Sequence, residues 1–144
     1  MHSKYPLAAL ICSLLFAQGC SSGKSEVWQA IPDTAPEPAS VGIHTIQRDG
    51  DIASMQTQIL FTPESPSNKK LQQAGKHLLS FVIADYRYDC KARTVELVKA
   101  VEHFSASGNQ TAPEPVETRY PANAAPVKPN SIAEDALTIA CKSK

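Results

Sequence analysis

Apolar and polar residues alternate with a period of two through most of this chain, and the period lengthens to that of a helix only near the C-terminus. Residues 26–31 (EVWQAI) form a short strand candidate that Pro32 stops. In residues 32–40 (PDTAPEPAS) the prolines remove ladder donors and fix φ, so an extended loop is expected there. Residues 41–61 read as a β-hairpin. Val41, Ile43 and Thr45 alternate on the outward arm, and Ala53, Met55, Thr57, Ile59 and Phe61 alternate on the return. Between the arms lies Arg48-Asp49-Gly50-Asp51, whose Asp-Gly pair favours positive φ and is expected to close a two-residue turn.

Residues 62–76 are polar and interrupted by Pro63 and Pro66, a connection whose second half admits one helical turn. Residues 78–90 are a longer strand, with Val82, Ala84, Tyr86, Tyr88 and Cys90 on one face and Phe81, Ile83, Asp85, Arg87 and Asp89 on the other. Residues 94–104 follow as its partner, with Val95, Leu97, Val101 and Phe104 apolar, and Ser107-Gly108-Asn109 is a turn. The proline- and alanine-rich stretch 112–129 predicts an irregular crossing with a short strand at 116–120. Ser131 and Glu134 then form a capping box, each able to satisfy an amide at the start of a helix. Ile132, Ala136, Leu137, Ile139 and Ala140 give that helix an apolar stripe. The fold class that follows is α+β: a small antiparallel β-sheet packed against a C-terminal helix.

The N-terminus has a different character. A short, weakly basic opening precedes an uncharged apolar run at residues 7–17 (LAALICSLLFA), which is shorter than the roughly 20 residues a membrane span needs. Small Gly19 then precedes Cys20, so the segment reads as a signal peptide removed after export. Ala17-Gln18-Gly19-Cys20 resembles the bacterial lipobox, departing from it at Ala17, where a larger aliphatic residue is usual, and at Gln18, where a small one is. Ordinary secretion with Cys20 left as a free thiol is the competing reading. The polar spacer Ser21-Ser22-Gly23-Lys24-Ser25 favours a lipidated Cys20 on a tether. By the same resemblance, Ser21 after the cysteine points to the outer membrane. The expected organisation is a lipoprotein signal peptide at 1–19, a lipidated cysteine and flexible tether at 20–26, and one folded domain at 27–144.

Charge narrows the partners. Lys and Arg total 14 against 14 Asp and Glu, and loss of residues 1–19 removes one base, Lys4, and no acid. The mature chain is close to neutral, with no strong field for nucleic acid or an anionic membrane surface, so no nucleic-acid partner is expected. Of the four cysteines, Cys12 leaves with the signal peptide and Cys20 carries lipid. Cys90 and Cys141 remain, and in an oxidising envelope compartment such a pair is expected to form a structural disulfide. It would pin the helix to the end of the 78–90 strand.

Trp28 in the opening strand, the hairpin ending at Phe61, Tyr86-Arg87-Tyr88-Asp89-Cys90, the Gly108 turn, and Pro129-Asn130-Ser131 opening a helix that ends in Cys141 together resemble the surface-adhesin protein E family of bacterial outer-membrane lipoproteins. The resemblance implies a paired Cys90 and Cys141, an antiparallel sheet against a C-terminal helix, and binding of host extracellular-matrix or serum proteins. It carries over no catalytic motif.

Chemistry beyond binding finds little support in the residues. Asp85 and Asp89 share a strand face with Arg87 between them, which suits a solvated outer face better than an acid/base pair. His44, His77 and His103 are scattered and read as surface or strand-face histidines. Asn109-Gln110-Thr111 matches a glycosylation sequon by chance composition in a bacterial envelope protein. Tyr86 and Tyr88, on the face of Val82 and Ala84, are expected in the core rather than as exposed anchors. The expectation is a non-enzymatic binding module without cofactor or metal. It is held to the membrane by its lipid, binds a protein partner, and has a sheet edge that would also allow a homodimer. The alternative is a periplasm-facing structural or accessory lipoprotein in envelope assembly or stress tolerance.

Overall fold

The computed structural model describes residues 27–142. Their elements are β1 (Trp28–Ala30), β2 (Ala39–Gly42), a 3-10 turn (Ile43–Thr45), β3 (Gln47–Asp49), β4 (Ile52–Leu60), α1 (Pro66–Gln73), β5 (Leu79–Asp89), β6 (Thr94–Phe104), β7 (Val116–Arg119), β8 (Ala125–Pro126) and α2 (Ile132–Lys142). The strands make one antiparallel sheet in the order β1-β2-β4-β5-β6-β7, with β3 also on β4 and β8 also on β6. An antiparallel sheet with a C-terminal helix and one disulfide is the fold the residue pattern predicts.

The 41–61 hairpin differs from expectation in its outward arm. Instead of one strand, β2 pairs with residues 57–59 and β3 with residues 52–54, and the 3-10 turn separates them. β-branched Ile43 and Thr45 look like strand residues. The Thr45 hydroxyl, however, donates to the Gly42 carbonyl at 2.6 Å and accepts the Gln56 amide at 2.9 Å, replacing the ladder bonds the turn gives up. The β3–β4 turn is also shifted by one residue. Asp49 pairs with Ile52, so Gly50 and Asp51 are central, and the positive φ of 57° falls on Gly50 in the first central position.

Residues 32–38 are not extended. They close β1 onto β2, with Thr34 at the centre: its hydroxyl donates to the Ile31 carbonyl and accepts the Ala39 amide. Nor does Pro66 end structure. It sits in the first turn of α1, where its missing N–H costs nothing, and Ser65 caps the helix. The helix is therefore longer than the single turn expected.

The two longest strands, β5 and β6, carry two irregularities. Asp85 pairs with Lys99 and Tyr86 with Leu97, leaving Val98 as an extra residue on β6; Ser80 is similarly extra on β5. Each extra residue's carbonyl is used, Val98 by the Tyr120 amide and Ser80 by the Phe61 amide. The Val98 bulge explains why the apolar positions of β6 keep no strict period. Val95 and Leu97 share one face, but Val101, beyond the bulge, pairs with Ile83 on the other.

α2 covers the inner face of the sheet. Ala136, Leu137 and Ala140 pack with Val41, Ala53, Met55 and Tyr88 in the core. Ile132, expected on the buried stripe, is 50% exposed, and Ala133 packs against the core instead. The helix start is capped much as expected. Ser131 Oγ accepts the Glu134 amide at 3.2 Å, while the Glu134 carboxylate turns back to the Asn130 amide, one residue before the one a capping box uses, and to Arg93. Serine-to-alanine at 131 should cost about 1 kcal/mol.

Candidate binding surface

The sheet leaves its outer face and one edge open. α2 lies on the face of Met55 and Tyr88, and pairing places Phe81, Ile83, Asp85 and Arg87 on the other. Phe81 and His103 stack there at 4.1 Å between ring centroids. A run of charges crosses this face from β5 to β7: Asp85 to Lys99 at 3.2 Å, Lys99 to Glu117 at 3.7 Å and Glu117 to Arg119 at 2.9 Å. Arg87 pairs with Glu96 beside it. Each such pair is worth little alone; Asp85–Lys99 bridges β5 and β6, and Lys99–Glu117 bridges β6 and β7. Between β3, β4 and β5 a shallow cavity of about 450 Å³ with a mixed lining opens beside Thr45, Gln56 and Asp85, and Asp85 Oδ1 has no hydrogen-bond partner.

Strand β7 is the open edge. All four of its residues are exposed, and Val116 and Tyr120 at its two ends are exposed large apolar side chains. The Tyr120 amide donates to Val98 on β6, so by strand alternation the amides of Glu117 and Arg119 face away from the sheet. An extended segment of another chain can pair with those groups. At the opposite edge, three-residue β1 is partly covered: Val27 accepts from Ile43, and His44 packs edge-on to Trp28 at 5.5 Å.

Cys90 and Cys141 are joined, with Cα atoms 5.8 Å apart. The bond ties the end of β5 to the last turn of α2. Residue patterns gave no sign of Arg48, whose guanidinium reaches Cys90 Sγ, the Cys141 carbonyl and the Gly50 carbonyl. It holds the β3–β4 turn against the disulfide and the negative end of α2. Cys20 lies outside the described residues.

Asp85 and Asp89 are not brought together. Asp85 pairs with Lys99, while Asp89 accepts the Lys91 and Ala92 amides of the following turn. Among the described residues no three His, Cys, Asp or Glu side chains gather as a metal site, and no helix is long and apolar enough to cross a membrane.

Tyr86 and Tyr88 face inward, and Tyr88 is only 2% exposed. Burial raises the proton affinity of Tyr88 well above the ordinary tyrosine range, with Tyr86 adding to it; burial and then Tyr120 raise that of Tyr86. An unfolded tyrosine ionises near pH 10, so above about that pH the unfolded chain releases protons the fold retains. Stability is therefore complete below about pH 10 and falls as pH rises beyond it. Tyrosinate absorbance from this pair should appear only as the circular-dichroism signal of the sheet is lost, and Tyr88→Phe should shrink that delayed fraction.

The family profile described as Surface-adhesin protein E matches residues 28–142. The chain belongs to that family. Two solved structures of Haemophilus influenzae protein E share its fold: one at 13% identity and TM-score 0.53, covering 80% of this chain and 83% of that one, the other at 14% and 0.52, covering 80% and 87%. None of the curated proteins matches in sequence. As a surface-adhesin protein E member, this is an adhesin-like protein of the cell envelope or surface, and the family points to binding rather than catalysis.

Proposed function

We propose that this adhesin-family chain is an exported binding module, anchored in the outer membrane by lipid on Cys20, which takes extracellular-matrix or serum proteins of a host on its open β7 edge. Family membership over residues 28–142 supports binding, and the exposed, outward-facing amides of Glu117 and Arg119 carry the choice of edge. Main-chain pairing supplies affinity in such strand addition, and side chains at alternate positions supply choice of partner. Val116, Tyr120 and the charges of Glu117 and Arg119 are the side chains available. The same edge also suits a second copy of the chain, so a homodimer there would compete with the partner.

The anchor is tested by Cys20→Ala. The variant should leave the membrane fraction yet keep the fold and the oxidised Cys90–Cys141 pair, and intact mass should show loss of the lipid. Retention of Cys20→Ala in the membrane would contradict the anchor.

The edge is tested with proline. Glu117→Pro removes an outward donor while leaving the bonds to β6, and should weaken capture of matrix or serum proteins by the mature chain about tenfold. Glu117→Ala, which keeps the amide, should retain most of the binding. Equal loss in both would assign recognition to the side chain rather than to strand addition.

A further inference from the structure

On the inner face, away from the β7 edge, a cavity of about 470 Å³ lies between the sheet, the first turns of both helices and the 34–37 segment. Its volume falls within the roughly 300–1,000 Å³ of small-molecule sites. The floor includes Thr57, Tyr86 and Tyr88; Ile132 and Ala133 of α2 form one wall. Thr57 is 5% exposed and its Oγ1 has no hydrogen-bond partner. A buried hydroxyl without a partner is unfavourable, and a ligand atom that bonds to it would relieve that cost. Ile132, half exposed, is the apolar lip of the opening.

We infer that this cavity is a binding site for a compact, uncharged molecule with an apolar body and a single hydroxyl or carbonyl, seated with its polar atom on Thr57. Charge selects that class. The one charged side chain lining the cavity among the described residues is Glu37, whose Oε1 already accepts the Ser67 amide at 2.9 Å. No lysine or arginine lines it, so an anion would be buried without a counter-ion beside a carboxylate, at a cost a neutral molecule does not meet. Tyr86 and Tyr88, which also line the cavity, are held uncharged by burial and add no counter-charge for an ion. The site is independent of the edge proposed for protein partners, and loss of either leaves the other.

Three aromatic probes of nearly equal size separate the contributions: benzyl alcohol, toluene and benzoate. Titrated into the oxidised mature chain and followed by methyl NMR, benzyl alcohol should shift the Thr57 and Ile132 signals saturably, with benzoate at least tenfold weaker. Thr57→Val keeps the shape and removes the hydroxyl. It should weaken benzyl alcohol roughly two- to tenfold, the range of one net hydrogen bond, and leave toluene unchanged. Ala133→Trp should fill the cavity and abolish binding of both; if it fails to fold, the Thr57→Val ratio decides. The inference is overturned if no probe shifts the lining signals, if benzoate binds as tightly as the alcohol, or if Thr57→Val leaves the alcohol-to-toluene ratio unchanged. Shifts that grow with protein concentration alone would give the cavity to a second copy, and overturn it equally.

Discussion

Replacing Cys90 and Cys141 together by alanine should lower the unfolding free energy by about 2–5 kcal/mol while leaving the sheet formed. The bond closes a segment of 51 positions, for which the loss of unfolded-chain entropy alone corresponds to about 4 kcal/mol. That is a large share of a total near 5–15 kcal/mol for a single domain. The structure adds a local reason. α2 is held to the sheet by Ala136, Leu137 and Ala140 in the core, with Ala133 and Ile139 packed against them, and by the Glu134–Arg93 contact at its other end. Without the bond its last turn keeps the packing of Ile139 and Ala140 and the Arg48 contact to the Cys141 carbonyl, with no covalent tie to β5. Urea unfolding with and without reductant checks this: reductant should move the midpoint of the parent protein to that of the double variant and leave the variant unmoved. A parent insensitive to reductant would contradict the role given to the bond.

Asn68→Ala should be comparably damaging, at about 3–5 kcal/mol. Asn68 is 1% exposed and uses its whole amide: Nδ2 donates to the Thr62 carbonyl at 2.9 Å and the Leu79 carbonyl at 2.8 Å, and Oδ1 accepts the Leu79 amide at 2.8 Å. In effect the side chain pairs with Leu79 as a neighbouring strand would, fastening α1 to the start of β5. Alanine strands the buried Leu79 amide and carbonyl, each costing roughly 1–3 kcal/mol less whatever water recovers, while the Thr62 carbonyl keeps the Ser65 amide. The urea midpoint should fall with little change in slope. In hydrogen exchange the Leu79 amide should lose protection before the centre of β5 does, whereas uniform loss along the strand would mean Asn68 serves global stability only.

These two sites differ in how readable they are. The disulfide follows from the export expected of the N-terminus and the number of thiols, and the long strands, the β7 strand, the Gly108 turn and the capped C-terminal helix follow from periodicity and turn chemistry. Asn68 sits in a polar stretch that looks like a connection, because its role depends on Leu79, eleven positions away and on another element. The same limit applies to Thr45 and Thr34, whose hydroxyls stand in for main-chain bonds that the alternation of apolar residues does not report. The inner cavity is equally silent in the sequence. Thr57 falls on the buried face of β4 like its apolar neighbours, and only packing shows that its hydroxyl lacks a partner. The open edge was foreseeable as a property of an unclosed sheet. That β7 is that edge, with Glu117 and Arg119 turned outward, depends on the Val98 bulge and the register it sets.

The most direct test of a surface binding module is whether intact cells present it. In cells carrying the full chain, an antibody to residues 112–129 should label the surface, and added protease should remove the domain, without permeabilising the outer membrane. Labelling and cleavage that occur only after permeabilisation would place the domain on the periplasmic side and contradict the account.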